Sequence, residues 1–369
     1  MDAQRAAPRE HRELQPAQRR HRVLVGLRRH LEHHRLRSSV GRSRGTLPCV
    51  SISRAAHLGV AVLATFLVRV LVRFKPQRWC PPAISLRLFR LSSQATNAIT
   101  TADLRRRVPA AGWTSRTDLS YGPGRFDRFD LAVPDRPGPH PLVVWVHGGG
   151  WHFGDKRDVL PYGEMLAARG FAVAAVNYPL APRVRYPAAP DAVRAALNHL
   201  REHAAELDLD PERIVLAGNS VGAQIVSELA VSGTSPLRGL VLFCGIYDPV
   251  GLDDSDRMFE AVLESAMWSV TRSRHWQHSP VCAEMTVVDK VTADFPPTFL
   301  SGGNQDPLFR RQTPPMAQRL HELEVAVEEF YPGDEAAPCF HEYQTWLGTP
   351  AGAEAFERVV AFLERNLGS

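Results

Sequence analysis

Cysteine is scarce: five in 369 residues, scattered at Cys49, Cys80, Cys244, Cys282 and Cys339, with no C-x-x-C pair. An odd, widely spaced set excludes a disulfide framework and a zinc pattern. Long hydrophobic runs are missing too. The most apolar stretch, 58–68, gives eleven largely apolar residues before Arg69, short of the ~20 that span a bilayer. Residues 1–54 contain no Phe, Tyr or Trp but thirteen Arg and five His. Such a tail cannot bury enough surface to offset its ordering entropy, and disorder is expected. Acidic residues are rare in the same region. Residues 1–107 carry 22 Lys+Arg against 5 Asp+Glu, a balance of +17, whereas 108–369 carry 22 against 34, a balance of −12. The acidic larger part argues against a nucleic-acid-binding catalytic domain. No internal repeat is present, and no motif suggests a metal, nucleotide or flavin site, so no cofactor is expected.

What is present is ample core material: 44% hydrophobic residues, with seven Trp, sixteen Phe and seven Tyr. Three segments are expected: the tail 1–54, an apolar and basic helical segment 55–111, and one catalytic domain 112–369. Within the last, buried-strand runs stand at 141–146 (PLVVWV), 171–176 (FAVAAV), 213–217 (RIVLA), 240–243 and 297–300. A partly alternating strand at 126–133 precedes them and another lies at 325–330. Helical spacing marks 161–169, 191–207, 223–229, 315–323 and 353–367, and the stretch 247–296 reads as irregular. Strands alternating with helices imply an α/β fold, a doubly wound, mostly parallel sheet covered on both faces.

Two motifs follow buried strands. Gly218-Asn219-Ser220-Val221-Gly222 sits between RIVLA and a helix, the context of a nucleophile elbow. His147-Gly148-Gly149-Gly150-Trp151 follows PLVVWV, and its glycines let backbone N–H groups converge on a developing oxyanion. A serine nucleophile needs a base and an orienting carboxylate, in the chain order Ser, Asp or Glu, His. Of the later histidines, His321 falls on a helix and His275 and His278 lie in the irregular insertion, leaving His341 between the last strand and the last helix. Asp306 follows the strand PTFLSGG at the carboxyl end of the sheet. Its rivals are Asp289 and Asp294, which precede that strand, and Asp334 on a Pro-Gly turn.

HGGGW, GNSVG, GNQDPL and CFHEY, in that order, resemble the α/β-hydrolase esterases and lipases. Within these they are most similar to the hormone-sensitive-lipase-like and acetyl-esterase-like (BD-FAE) group. Asn177-Tyr178-Pro179-Leu180-Ala181-Pro182 and Tyr186-Pro187-Ala188-Ala189 resemble that group as well. The resemblance implies a triad of Ser220, Asp306 and His341, with an oxyanion hole from the N–H groups of Gly149, Gly150 and Val221. Asn219 departs from the aspartate that many hormone-sensitive-lipase relatives carry before the nucleophile.

The expected function is hydrolysis of short-to-medium acyl esters, the partner being a small-molecule ester. Arylformamidase-type amide hydrolysis and a catalytically silent ligand-binding homologue are the alternatives. Trp145 and Trp151 suit either the pocket or the core, and Met258, Phe259, Met267 and Trp268 either an acyl cover or a satellite core. Residues 55–74 form an apolar stretch interrupted by Arg69 and flanked by the basic Arg54, Lys75 and Arg78. They suit either a helix lying in an anionic membrane interface or one packed on the domain. No A-x-A site follows, so a cytoplasmic location is expected, with any membrane contact peripheral.

Overall fold

A computed structural model describes residues 82–234, 236–252, 257–333 and 335–368. The readings of 1–54 as a tail and of 55–74 as a membrane-seeking or packed helix lie outside the described residues. The helix expected toward the end of the 55–111 segment is present as α1, Pro82–Arg105. It contacts α2 (Lys156–Ala167) and α5 (Arg257–Thr271), and Asn97 Nδ2 donates to Asp158 Oδ2 at 3.0 Å.

Eight strands form one sheet in the order β1-β2-β4-β3-β5-β6-β7-β8. They are β1 (Trp113–Ser120), β2 (Arg128–Pro134), β3 (His140–Val146), β4 (Ala172–Val176), β5 (Leu209–Asn219), β6 (Gly239–Phe243), β7 (Thr298–Ser301) and β8 (Val327–Phe330). β1 and β2 join antiparallel, and all pairings from β4 to β8 are parallel. The doubly wound α/β class is as expected. Successive strand residues point to opposite faces, and the two apolar layers separate accordingly. Leu142, Val144 and Val146 of β3 join one layer with α3 (Ala188–Glu202) and α4 (Val221–Val231). Val143 and Trp145 join the other with α2 and α8 (Pro350–Leu367).

The differences from expectation have local causes. β1 is exposed along most of its length and carries WTSRTDLS, so neither a buried run nor alternation announces it. α2 begins five residues before Pro161, because Asp155 caps it and Asp158 completes a capping box. α7 (Phe309–Glu322) likewise begins before Pro314 and Pro315. The stretch read as irregular holds α5 and α6 (Pro280–Met285) with a short turn, Trp276–His278, between them, and together they bury Met267, Trp276, Cys282 and Met285 in the larger core. Met267 is thus a core residue, and Trp268 is half-buried with the Arg272 guanidinium 5.0 Å above its ring. The side chains of Met258 and Phe259 lie outside the described residues. No helix of the described residues is long and apolar enough to cross a membrane.

Candidate active site

The chain after β3 crosses to β4 on one side, and the later strands add on the other, so the sheet changes direction between β3 and β5. Ligands in open α/β sheets bind beyond the carboxyl ends of the strands at such a point. Val146 pairs with Gly218, Asn219 with Phe243, and Phe243 with Ser301. The ends of four strands are therefore level, and the loop after each opens at one place.

β5 ends at Asn219 and α4 begins at Val221, leaving Ser220 alone in the turn with φ 54° and ψ −120°. A serine seldom holds such a conformation unless its surroundings impose it. Here Ser220 N donates to Phe243 O at 2.8 Å, and Ser220 O accepts from Ala223 N at 3.1 Å. Space dictates the flanking glycines. A Cβ on Gly218 would stand 2.4 Å from Gly222 C, and one on Gly222 would stand 2.1 Å from Val146 O. Val221 opens the helix, where first-turn N–H groups have no partner within the helix.

The Gly-rich loop is fixed from several sides. Gly149 has φ 118°, and a Cβ there would meet Phe153 O at 2.1 Å. Its carbonyl accepts from the N–H groups of His152 and Phe153, both at 3.1 Å. His147 stacks on Tyr178 with centroids 4.4 Å apart, and the Tyr178 hydroxyl donates to His147 O at 3.0 Å. Burial lowers the His147 pKa, which suits a neutral scaffold imidazole. Trp145 and Trp151 are both core residues.

Asp306 stands in the loop between β7 and α7, and His341 in the loop after β8. His341 Nδ1 and Asp306 Oδ2 are 2.9 Å apart, and Leu308 N donates to Asp306 Oδ1 at 3.0 Å. The two loops are clasped, since Cys339 N donates to Asn304 Oδ1 at 2.8 Å and Gln305 N to Cys339 O at 2.9 Å. Burial opposes charge on Asp306, yet the adjacent His341, the Leu308 N–H and the Cys244 thiol together hold its carboxyl below the usual range. Burial also opposes protonation of His341. The Asp306 charge and hydrogen bond, reinforced by Cys244, outweigh it and raise the imidazole well above its ordinary value. Cys244 Sγ, an Asp306 oxygen and a His341 ring nitrogen all lie within 4.8 Å of one another. Among the described residues this is a cluster of metal-ligand type, and the hydrogen bond between Asp306 and His341 accounts for part of its closeness.

The rival residues stand apart. His321 is exposed on α7, with Nε2 2.6 Å from Glu329 Oε1. His275, His278, Asp289 and Asp294 are exposed, and Asp334 lies outside the described residues. Sequence reading passed over Cys244 and Glu342. Glu342 directly follows His341, and Asn219 Nδ2 donates to Glu342 Oε1 at 2.7 Å, so the residues preceding Ser220 and following His341 are bonded to each other. Adjacency to His341 was the one available signal for Glu342; nothing in the sequence signalled Cys244.

Residues 143–337 match the model of a family described as the alpha/beta hydrolase fold. The chain is 31% identical over 242 residues to the carboxylesterase NlhH of Mycobacterium tuberculosis, covering 62% of this chain and 74% of that protein. It is 28% identical over 209 residues to the esterase LipQ of the same organism, covering 52% of this chain and 49% of LipQ. The chain thus spans about half the length of one of these relatives and three quarters of the other. Among solved structures, a bacterial heroin esterase superposes with a TM-score of 0.63 at 24% identity, covering 75% of this chain and 92% of that one. Esterase B of Lactobacillus rhamnosis gives 0.66 at 20% identity, covering 77% and 95%. These two likenesses show the fold.

Proposed function

The chain belongs to the α/β-hydrolase fold family, in its esterase group, and from that premise we propose that it is a serine carboxylic-ester hydrolase acting on short-to-medium acyl esters. The observation that carries the reading is the 2.9 Å bond from His341 Nδ1 to the buried Asp306, in a loop tied to the strained Ser220 turn.

In the proposed mechanism Ser220 Oγ attacks the ester carbonyl while His341 Nε2 takes its proton. Asp306 fixes the tautomer with Nδ1 protonated and stabilises the imidazolium that forms. The N–H groups of Gly149, Gly150 and Val221 receive the oxyanion. Collapse of the tetrahedral intermediate expels the alkoxide, which takes the proton from Nε2. His341 then activates water, which attacks the acyl-enzyme and regenerates Ser220. Labelling of the wild type, but not of Ser220→Ala, by a fluorophosphonate probe tests the reading. Turnover of formylkynurenine without ester turnover would instead support formamide hydrolysis.

The base works only with Nε2 unprotonated, and its pKa is raised. Activity should therefore fall as pH drops through a midpoint on the alkaline side of the ordinary imidazole value near 6.5. Asp306→Asn, which removes the charge that holds the proton, should move that midpoint toward acid. A kcat/KM profile measures both, and a wild-type midpoint at or below about 6.5 contradicts the proposal.

Acyl preference should fall between acetyl and octanoyl. The insertion between β6 and β7 spends Met267, Trp276, Cys282 and Met285 on the core, leaving little apolar surface for a long acyl groove. α1 packs against α5, and Ser269 Oγ of α5 lies 3.2 Å from His152 Nδ1 in the loop after β3; we propose that the two helices roof the site. Rates with p-nitrophenyl esters from acetyl to palmitoyl decide this; faster palmitoyl than butyryl hydrolysis would refute it.

A further inference from the structure

Three loops meet at a half-buried carboxyl that the proposed chemistry does not use. Glu342 has φ 59° and ψ 28°, a left-handed conformation that costs a residue with a Cβ and persists only where the surroundings impose it. Its N–H donates to Cys244 Sγ at 3.3 Å, and its Oε1 accepts from Asn219 Nδ2 at 2.7 Å and lies 3.9 Å from His341 Nε2. A Cβ on Gly148 would meet that same Oε1 at 2.6 Å and Asn219 Nδ2 at 2.9 Å. The Glu342–Asn219 contact thus lies against the first glycine of the Gly-rich loop, between the nucleophile's turn and the base.

The orientation of the Asn219 amide is settled by a third partner. Trp145 Nε1 donates to Asn219 Oδ1 at 3.2 Å, and an indole can only donate. The oxygen end must therefore face Trp145, which leaves the NH₂ end for Glu342. An aspartate at 219 would still satisfy Trp145 but would turn its second oxygen on the Glu342 carboxyl. Two carboxylates at that separation cannot both ionise.

We infer that Glu342 is a positioning residue for His341, and that it forms a matched carboxyl–amide pair with Asn219, so that the side chain required at 219 is set by the one at 342. This rests on the triad reading above. With Asp306 holding Nδ1 and Glu342 flanking Nε2, the imidazole has little freedom to swing away from Ser220. The titratable groups facing Glu342 are His341, Asp306, Asp158, the Tyr178 hydroxyl and the Cys244 thiol. Burial raises its own pKa, with the acids adding to the shift and His341 and Asn219 opposing it.

The test is a swap read by kcat, KM and pH profile on a short ester, with thermal unfolding of each variant. Asn219→Asp should lower kcat about tenfold or more at pH 8 with KM little changed. The loss should shrink toward acid, where the pair shares one proton. Glu342→Gln keeps a carbonyl acceptor for Asn219 but removes the charge beside Nε2, so it should cost less in kcat than Glu342→Ala while still displacing the acid limb of the profile. Combined with Asn219→Asp it offers an amide to the new carboxylate and should recover most of the lost rate. Glu342→Ala should lower kcat and displace the acid limb of the profile. A double variant no better than Asn219→Asp, or a Glu342→Ala enzyme with unchanged kcat and profile, overturns the inference. If Asn219→Asp fails to fold, a folded and active double variant supports the pairing; if neither folds, the Glu342→Ala profile decides. Fluorophosphonate labelling of Ser220 in the wild type separates failure of this inference from failure of the triad.

Discussion

Replacing Ser220 with alanine should abolish ester hydrolysis, with kcat falling on the order of 10⁶-fold. The expectation follows from the turn rather than from the residue type alone. Ser220 occupies φ 54° between glycines whose missing side chains the neighbouring backbone requires. Alanine adopts that conformation no more easily than serine, so the folded state keeps the same strain and the same hydrogen bond to Phe243 O. Far-ultraviolet dichroism and the unfolding midpoint should therefore match wild type while p-nitrophenyl butyrate turnover and probe labelling vanish. A variant keeping more than about a hundredth of the wild-type rate would refute the assignment, since loss of a true nucleophile costs far more.

His341→Ala should be nearly as damaging, and Asp306→Asn should cost roughly 10⁴ in kcat. In Asp306→Asn an amide faces Nδ1 and no longer selects the tautomer that leaves Nε2 free to accept a proton. The effects should be strongly non-additive, the double variant being scarcely worse than His341→Ala, because the two groups act as one unit. His321→Ala should retain full activity, as it loses only an exposed contact with Glu329. Activity lost there and kept in His341→Ala would reverse the choice of base.

How much of this was legible in the sequence depended on burial. β3, β4 and the core of β5 are covered on both faces, so PLVVWV, FAVAAV and RIVLA read as unbroken apolar runs whichever way each side chain points. β1 meets solvent along most of its length and carried no such mark. The helix starts at Lys156 and Phe309 were missed because Pro161 and Pro315 read as beginnings, whereas Asp155 caps the first helix and both helices carry their prolines inside them. Ser220, Asp306 and His341 could be selected because chain order and loop position narrow each choice to a few residues. Glu342 and Cys244 could not. Their neighbours across the fold, Asn219 and Gln344, lie 123 and 100 residues away, and no local pattern encodes a contact of that separation.

The clasp between the Asp306 and His341 loops carries a consequence for the timing of synthesis. Translation reaches His341 121 residues after Ser220. At roughly 5–20 residues per second, about 6 to 24 seconds pass on the ribosome with Ser220 synthesised and His341 absent. For most of that interval β7 is not yet synthesised, so β6 lacks its parallel neighbour and the pairing that will level the strand ends is still to come. Parallel pairings of large sequence separation form slowly because closing the intervening chain precedes any reward from contact. A nascent chain arrested before His341 should therefore carry the serine without the means to deprotonate it, and enzymatic competence should arise in one late step.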